Sequence, residues 1–226
     1  MKTNRRIHPA WIAAIVTFFT LVATAGFRSA PSVLIIPLQD AFGWHRDQIS
    51  LAIAINVLLY GLTAPFAAAL MERFTVRKVV MGALTTVSTG AFLTTLIHAP
   101  WQLIATWGVI VGIGTGSMAL VFAATVANRW FVKRRGLVVG GLTAAAAMGQ
   151  LIFLPGLTHL SGMYGWKSIG LTIGAAALLM IPMIYVFLRE KPSDLGYLPY
   201  GAPDNWTPPA RSEMNAARLA IVTLKE

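Results

Sequence analysis

The chain has 226 residues, 56% of them hydrophobic and 12% charged, with a mean hydropathy of +0.67; an ordinary water-soluble domain is excluded by that balance. The formal net charge of +10 sits, with one exception, between the apolar runs, where a basic face beside anionic lipid accounts for it, and no DNA-binding motif or nucleic-acid partner is indicated. Cysteine is absent, which excludes disulfides and thiolate metal ligands.

A bilayer core about 30 Å thick needs about 20 apolar residues per crossing helix. Stretches of that length recur along the chain. The first runs from Trp11 to Leu38, too long for the core of a secretory signal peptide and with no A-x-A cleavage site after it, so it is expected to stay as a helix. One full charge interrupts it, Arg28, in Gly26-Phe27-Arg28-Ser29-Ala30-Pro31-Ser32. Thr20, Thr24, Arg28 and Ser32 recur at every fourth position as a polar stripe, and Pro31 leaves the carbonyl of Phe27 without its helical donor. A guanidinium in hydrocarbon is costly, so Arg28 is expected to face a cavity, a partner or a ligand.

The second helix, Ile49 to Met71, carries Asn56, Tyr60 and Thr63 as a shorter stripe; the third is expected from Val79 to Pro100 and the fourth from Trp101 to Ala127. In the fourth, Gly112, Gly114 and Gly116 read as close helix packing and not as a dinucleotide loop, since no strand precedes them. The fifth, Gly136 to Leu160, has Thr143 and Gln150 a heptad apart, and the sixth, Ser168 to Leu188, has little polar beyond Thr172 and is expected to be lipid-facing scaffold. This gives an all-α membrane protein with a six-helix bundle over residues 1–188 and a Pro-rich linker over residues 189–226, in which Ser212 caps the start of a surface helix.

The basic residues set an orientation. Lys2, Arg5, Arg6, Arg73, Arg77, Lys78, Arg129, Lys133, Arg134, Arg135 and the five of the tail fall on one side, and only Arg46 and Lys167 on the other. That asymmetry places both termini in the cytoplasm and the chain in the cell (inner) membrane as a multi-pass protein. Trp44, Trp101 and Trp166 fall at the outer boundaries, as an aromatic belt requires. His8, His45, His98 and His159 lie near the predicted surfaces without ligand spacing, so neither a metal site nor a cofactor is expected.

Three segments carry a family resemblance. Ala68-Ala69-Leu70-Met71-Glu72-Arg73-Phe74-Thr75-Val76-Arg77-Lys78 resembles the major facilitator superfamily loop G-x-x-x-[DE]-R-x-G-x-[RK]-[RK], with Ala68 and Thr75 in place of its glycines. Trp130-Phe131-Val132-Lys133-Arg134-Arg135-Gly136-Leu137-Val138-Val139-Gly140 is similar to the monocarboxylate-porter signature [YF]-F-x-K-R-R-x-L-A-x-G, and Arg189 to Gly201 to the R-x-x-P-x-x-x-G-x-x-P-x-G linker after helix six of many bacterial members. The chain departs from the animal porters in having His8-Pro9-Ala10-Trp11 where they have an acidic, glycine-rich motif. It departs from proton-coupled drug exporters in having Gly108 where they have arginine, and Leu154-Pro155-Gly156 in place of their Gly-Pro pair. The resemblance favours a bacterial organic-anion branch.

That resemblance implies a fold and a mechanism. Such proteins rock two six-helix halves, each of two inverted three-helix repeats, about a site near the bilayer midplane, and this chain would be the amino-terminal half of a twelve-helix fold. It implies a secondary transporter of a small organic anion such as a monocarboxylate, with Arg28, Thr24, Asn56, Tyr60 and Gln150 as candidate substrate contacts. It also implies a cytoplasmic gate of ion pairs among Glu72, Arg73, Arg77, Arg129, Lys133, Arg134 and Arg135. All eight acids (Asp40, Asp47, Glu72, Glu190, Asp194, Asp204, Glu213, Glu226) lie outside the predicted helices, so the partner of Arg28 is a substrate carboxylate or an acid of the second half. Asp40 is about 18 Å away at the helical rise. Arginine does not titrate usefully, so a proton carrier would lie on the second half, or the proton would travel on the anion.

Two other readings stand beside this one. A truncated, non-transporting half would need a second six-helix half or a second copy to cover Arg28. An intramembrane serine protease is opposed by the sequence, because Gly114-Thr115-Gly116-Ser117 only approaches a nucleophile motif and no histidine lies mid-membrane, so no enzyme is expected.

Overall fold

The computed structural model describes residues 8–118, 120–203 and 206. Lys2, Arg5, Arg6, the acids Asp204, Glu213 and Glu226, and the helix expected from Ser212 lie outside the described residues. Among the described residues the bundle is built of six long helical segments: α1 (Pro9–Phe42), α2 (Arg46–Arg73), α3 (Val76–Thr94), α4 (the span Pro100–Trp130), α5 (Arg135–Tyr164) and α6 (Lys167–Phe187). Their connections are of two to five residues, so successive helices run antiparallel. The start of α1, the α2–α3 and α4–α5 turns and the end of α6 therefore share one end, which also carries the clustered lysines and arginines and is called the basic end below.

All but α3 are long and apolar enough to cross a membrane by length and composition. With 19 residues, and with Arg77 and Lys78 in its first turn, α3 is the short member. It stops at Thr94, not Pro100 as expected, because Pro100 starts the next helix and Gln102 Oε1 accepts the backbone N–H groups of His98 (2.6 Å) and Ala99 (3.2 Å) in a capping turn. The loop expected to carry Glu72 and Arg73 is likewise mostly helix. Both residues lie in the last turn of α2, and only Phe74 and Thr75 intervene before α3, where Thr75 Oγ1 accepts from the Lys78 N–H at 3.2 Å.

In its C-terminal half, α1 continues through Pro31 and Pro37 and ends at Gly43, whose φ of 67° is the left-handed C-terminal cap. Its 34 residues span about 51 Å, more than the hydrocarbon thickness. The fourth helix is irregular within a uniformly apolar run: Ile104–Val111 is a π-helix, followed by Gly112–Gly116 and, after residue 119, Leu120–Trp130.

The most extensive helix pairings are α1 with α5, α2 with α4 and α3 with α6, and α3 also packs along α4. Small residues allow the close approaches. A Cβ on Gly108 or Gly112 would stand 3.2 Å and 3.1 Å from α2 backbone, and one on Gly149 of α5 would meet Val22 O and Ala25 Cβ of α1 at 2.5 Å. The sixth helix is more than lipid-facing scaffold. Ile169, Gly170, Ile173, Gly174 and Ala177 are buried on one face, Ser88 Oγ donates across to Gly174 O at 2.9 Å, and only the opposite face exposes Leu171, Leu178 and Leu179.

Apolar side chains cover the outside of the bundle as well as its core. Val57, Leu58, Leu62 and Phe66 on α2 and Leu137, Leu151 and Ile152 on α5 are exposed, which suits a multi-pass membrane protein and no water-facing surface.

Candidate functional site

The middle turns of α1, α2, α4 and α5 line an open cavity of about 450 Å³. Thr24 and Arg28 reach it from α1, Tyr60 from α2, Thr115 and Met118 from α4, and Thr143 and Gln150 from α5. Much of the rest of the wall is alanine, at Ala25, Ala123, Ala146 and Ala147.

The threonine hydroxyls of this wall donate to their own helices. Thr24 Oγ1 donates to Leu21 O (3.1 Å), Thr115 Oγ1 to Val111 O (2.9 Å) and Thr143 Oγ1 to Val139 O (2.9 Å). What remains toward the cavity is their acceptor capacity. Arg28 is different: its Cζ lies over the Tyr60 ring, 5.4 Å from the centroid, and among the described residues it has no carboxylate partner. With five N–H donors and no acceptor, it is the strongest electropositive group of the wall. Ser29 Oγ donates to the backbone carbonyl of Gln150 at 3.4 Å, tying α1 to α5 beside it.

Of the substrate contacts expected from sequence, Thr24, Arg28, Tyr60 and Gln150 thus line one cavity. Asn56 does not line it. Its Nδ2 donates to Trp107 O at 2.7 Å, so the amide is committed to the π-helical turn of α4. The polar stripe on α1 also divides: Thr20 is fully buried and donates to Val16 O at 2.8 Å, and Ser32 donates to Ser29 O at 2.7 Å, leaving Thr24 and Arg28 on the cavity. Thr115 and Met118 are not among the substrate contacts expected from sequence, where Gly114-Thr115-Gly116-Ser117 reads as helix packing or an incomplete nucleophile motif.

The basic end has its own polar cluster. Arg129, at the end of α4, pairs with Glu190 just beyond α6, and its Nη2 donates to Met71 O of α2 at 3.2 Å. The second Glu190 oxygen accepts the N–H of Val76, the first residue of α3, at 2.8 Å. One carboxylate therefore meets a helix N-terminus and a guanidinium together. Arg77 donates to Tyr185 O at 3.3 Å and lies over that ring at 5.1 Å, while Arg73 lies over Phe74 at 5.7 Å. Glu72 is exposed and makes no ion pair among the described residues. Arg134 takes a left-handed φ of 61° to start α5, Arg135 Nε donates to Phe131 O at 3.2 Å, and Lys133 lies alongside Gly201. Glu190 was read in sequence only as linker.

That linker is not a featureless tether through residue 203. After a 3-10 turn at Pro192–Leu195 it returns to the bundle, where Tyr200 N donates to Trp130 O (2.8 Å) and Tyr200 O accepts from Val132 and Lys133 (3.0 and 3.2 Å). The Tyr200 ring packs edgewise on His8 and Trp11 at 5.5 and 5.6 Å.

Comparison with known proteins agrees with this architecture. The sequence model of the Major Facilitator Superfamily matches residues 14–221. The uncharacterized MFS-type transporter YcxA of Bacillus subtilis (strain 168) is 27% identical over 195 residues, covering 85% of this chain and 47% of that protein. Monocarboxylate transporter 9 of Mus musculus is 28% identical over 201 residues (86% of this chain, 38% of the relative), and monocarboxylate transporter 7 of Homo sapiens 28% over 171 residues (76% and 32%). The chain spans less than half the length of these relatives.

Proposed function

The chain belongs to the major facilitator superfamily, a family of membrane transporters and not of enzymes, and we propose that it forms the amino-terminal half of a secondary transporter moving a small organic anion such as a monocarboxylate. The observation that carries this reading is Arg28: a permanent cation on a cavity wall whose other side chains are all uncharged, with no carboxylate against it among the described residues. A substrate carboxylate would accept the fork of donors and neutralise the charge. The names of the monocarboxylate transporter relatives support the same substrate class.

Alternating access fits the helix pairing. Exchanging α1, α2 and α3 for α4, α5 and α6 turns the α1–α5 contact into α4–α2 and returns α3–α6 to itself, as two inverted repeats require. The basic end would face the cytoplasm of an inner-membrane protein with both termini inside. A second six-helix half would close the cavity and bring any proton carrier. In the cytoplasmic gate, Arg129 and Glu190 would form the inner tie, while Glu72, Arg73, Arg77, Lys133, Arg134 and Arg135 would meet that half.

The test is uptake of labelled pyruvate into proteoliposomes by the assembled transporter. Arg28→Ala or Arg28→Gln is expected to abolish uptake with membrane insertion retained. Unchanged uptake would remove Arg28 as the substrate anchor.

A further inference from the structure

We infer that Tyr60 is a positioning residue, a ring platform that holds the Arg28 guanidinium toward the cavity, and that it does not contact the anion through its hydroxyl. The inference rests on the reading of Arg28 as the anion anchor and assigns the group that makes it one.

Three observations lead there. Arg28 lies over the Tyr60 ring with Cζ 5.4 Å from its centroid, and both residues line the same cavity. A cation on a ring face is held by the ring quadrupole, which uses none of the guanidinium's N–H groups as conventional donors. The ring brings no carboxylate to the guanidinium, whereas an Asp or Glu in the place of Tyr60 would accept its N–H groups and neutralise it. Long unbranched side chains carry much rotamer entropy, so an unanchored arginine would also lose more freedom on binding.

The platform is itself fixed from below. Gly116 of α4 faces the Tyr60 backbone so closely that a Cβ there would stand 2.6 Å from Tyr60 O and 2.9 Å from its Cα. Thr63 Oγ1 donates to Leu59 O at 2.7 Å and lies 3.4 Å from Tyr60 O, keeping that turn of α2 regular against Gly116. Tyr60 is thus placed by helix contact, and its ring is what it offers to the cavity.

Two readouts on the full chain in lipid nanodiscs separate this inference from the reading it rests on. The first is the NMR shift of the Arg28 side-chain N–H, which needs no ligand. It is expected upfield in the wild type and in Tyr60→Phe, and at the value of a free arginine in Tyr60→Leu. The second is a titration with pyruvate. Tyr60→Phe is expected to bind within about two-fold of wild type and Tyr60→Leu about five-fold more weakly, the scale of one cation–π contact. An Arg28 shift unaffected by Tyr60→Leu overturns the platform, as does an affinity lost equally in Tyr60→Phe and Tyr60→Leu. Wild type that ignores pyruvate would overturn the anion site, and the shift measurement would still decide the platform.

Discussion

Removing the charge at Glu190 should loosen the whole basic end, because that one carboxylate joins the start of α3 to the end of α4. Its side chain and that of Arg129 are 19% and 23% exposed, so the pair is screened, yet less than a surface ion pair. A hydrogen bond to a charged group contributes about 1.5–3 kcal/mol and a carboxylate at a helix N-terminus about 0.3–1 kcal/mol. Allowing for overlap and screening, Glu190→Gln should cost about 2–3 kcal/mol. For a chain of this size that corresponds to about 4–12 °C in thermal midpoint. The assay is thermal unfolding of the detergent-solubilised chain, with Glu190→Gln, Arg129→Gln and the double variant forming a cycle that isolates the pair. The double variant should be no worse than the poorer single variant by more than about 0.5 kcal/mol, giving a coupling energy of about 1–2 kcal/mol that shrinks in high salt. Strictly additive single effects would refute the contact between the two side chains.

Other consequences follow from the same contacts. Asn56→Ala leaves Trp107 O without its donor and should lower stability by about 0.5–1.5 kcal/mol while leaving pyruvate affinity unchanged, measured by thermal unfolding and by titration in nanodiscs. Gly149→Ala forces a methyl within 2.5 Å of Val22 O and Ala25 Cβ, so it should cost about 1–3 kcal/mol by prying α1 from α5, and an unchanged unfolding midpoint would refute that approach.

How much of this was legible in the sequence depends on whether the cause was local. Uninterrupted apolar length marked the helical passes, and a single charge in α1 marked the cavity wall. The stripe at every fourth residue was less reliable, because each step of four turns an α-helix by about 40°. Over the twelve residues from Thr20 to Ser32 the drift is about 120°, enough to carry both ends of the stripe off the cavity while Thr24 and Arg28 stay on it. Asn56 sits one turn from Tyr60 and is turned far enough to meet α4 instead.

The remaining features arise between distant segments. The π-helical turn at Ile104–Val111 lies in an apolar run whose composition suits an ordinary helix equally well. The Arg129–Glu190 pair joins residues 61 apart, and neither its charge pattern nor its spacing distinguishes it from the other loop charges. The return of Tyr200 to the α4–α5 turn was hidden for the same reason: a Pro- and Gly-rich run reads as a tether until the aromatic pocket of His8, Trp11 and Phe131 is assembled.

Whether Arg28 anchors an anion is tested most directly by pyruvate binding to the chain in nanodiscs, compared among wild type, Arg28→Lys and Arg28→Gln. Saturable binding by wild type, weaker binding by Arg28→Lys, which keeps the charge but loses the fork, and at least about ten-fold loss in Arg28→Gln are the predicted results. Binding by folded Arg28→Gln within two-fold of wild type would contradict the anion site.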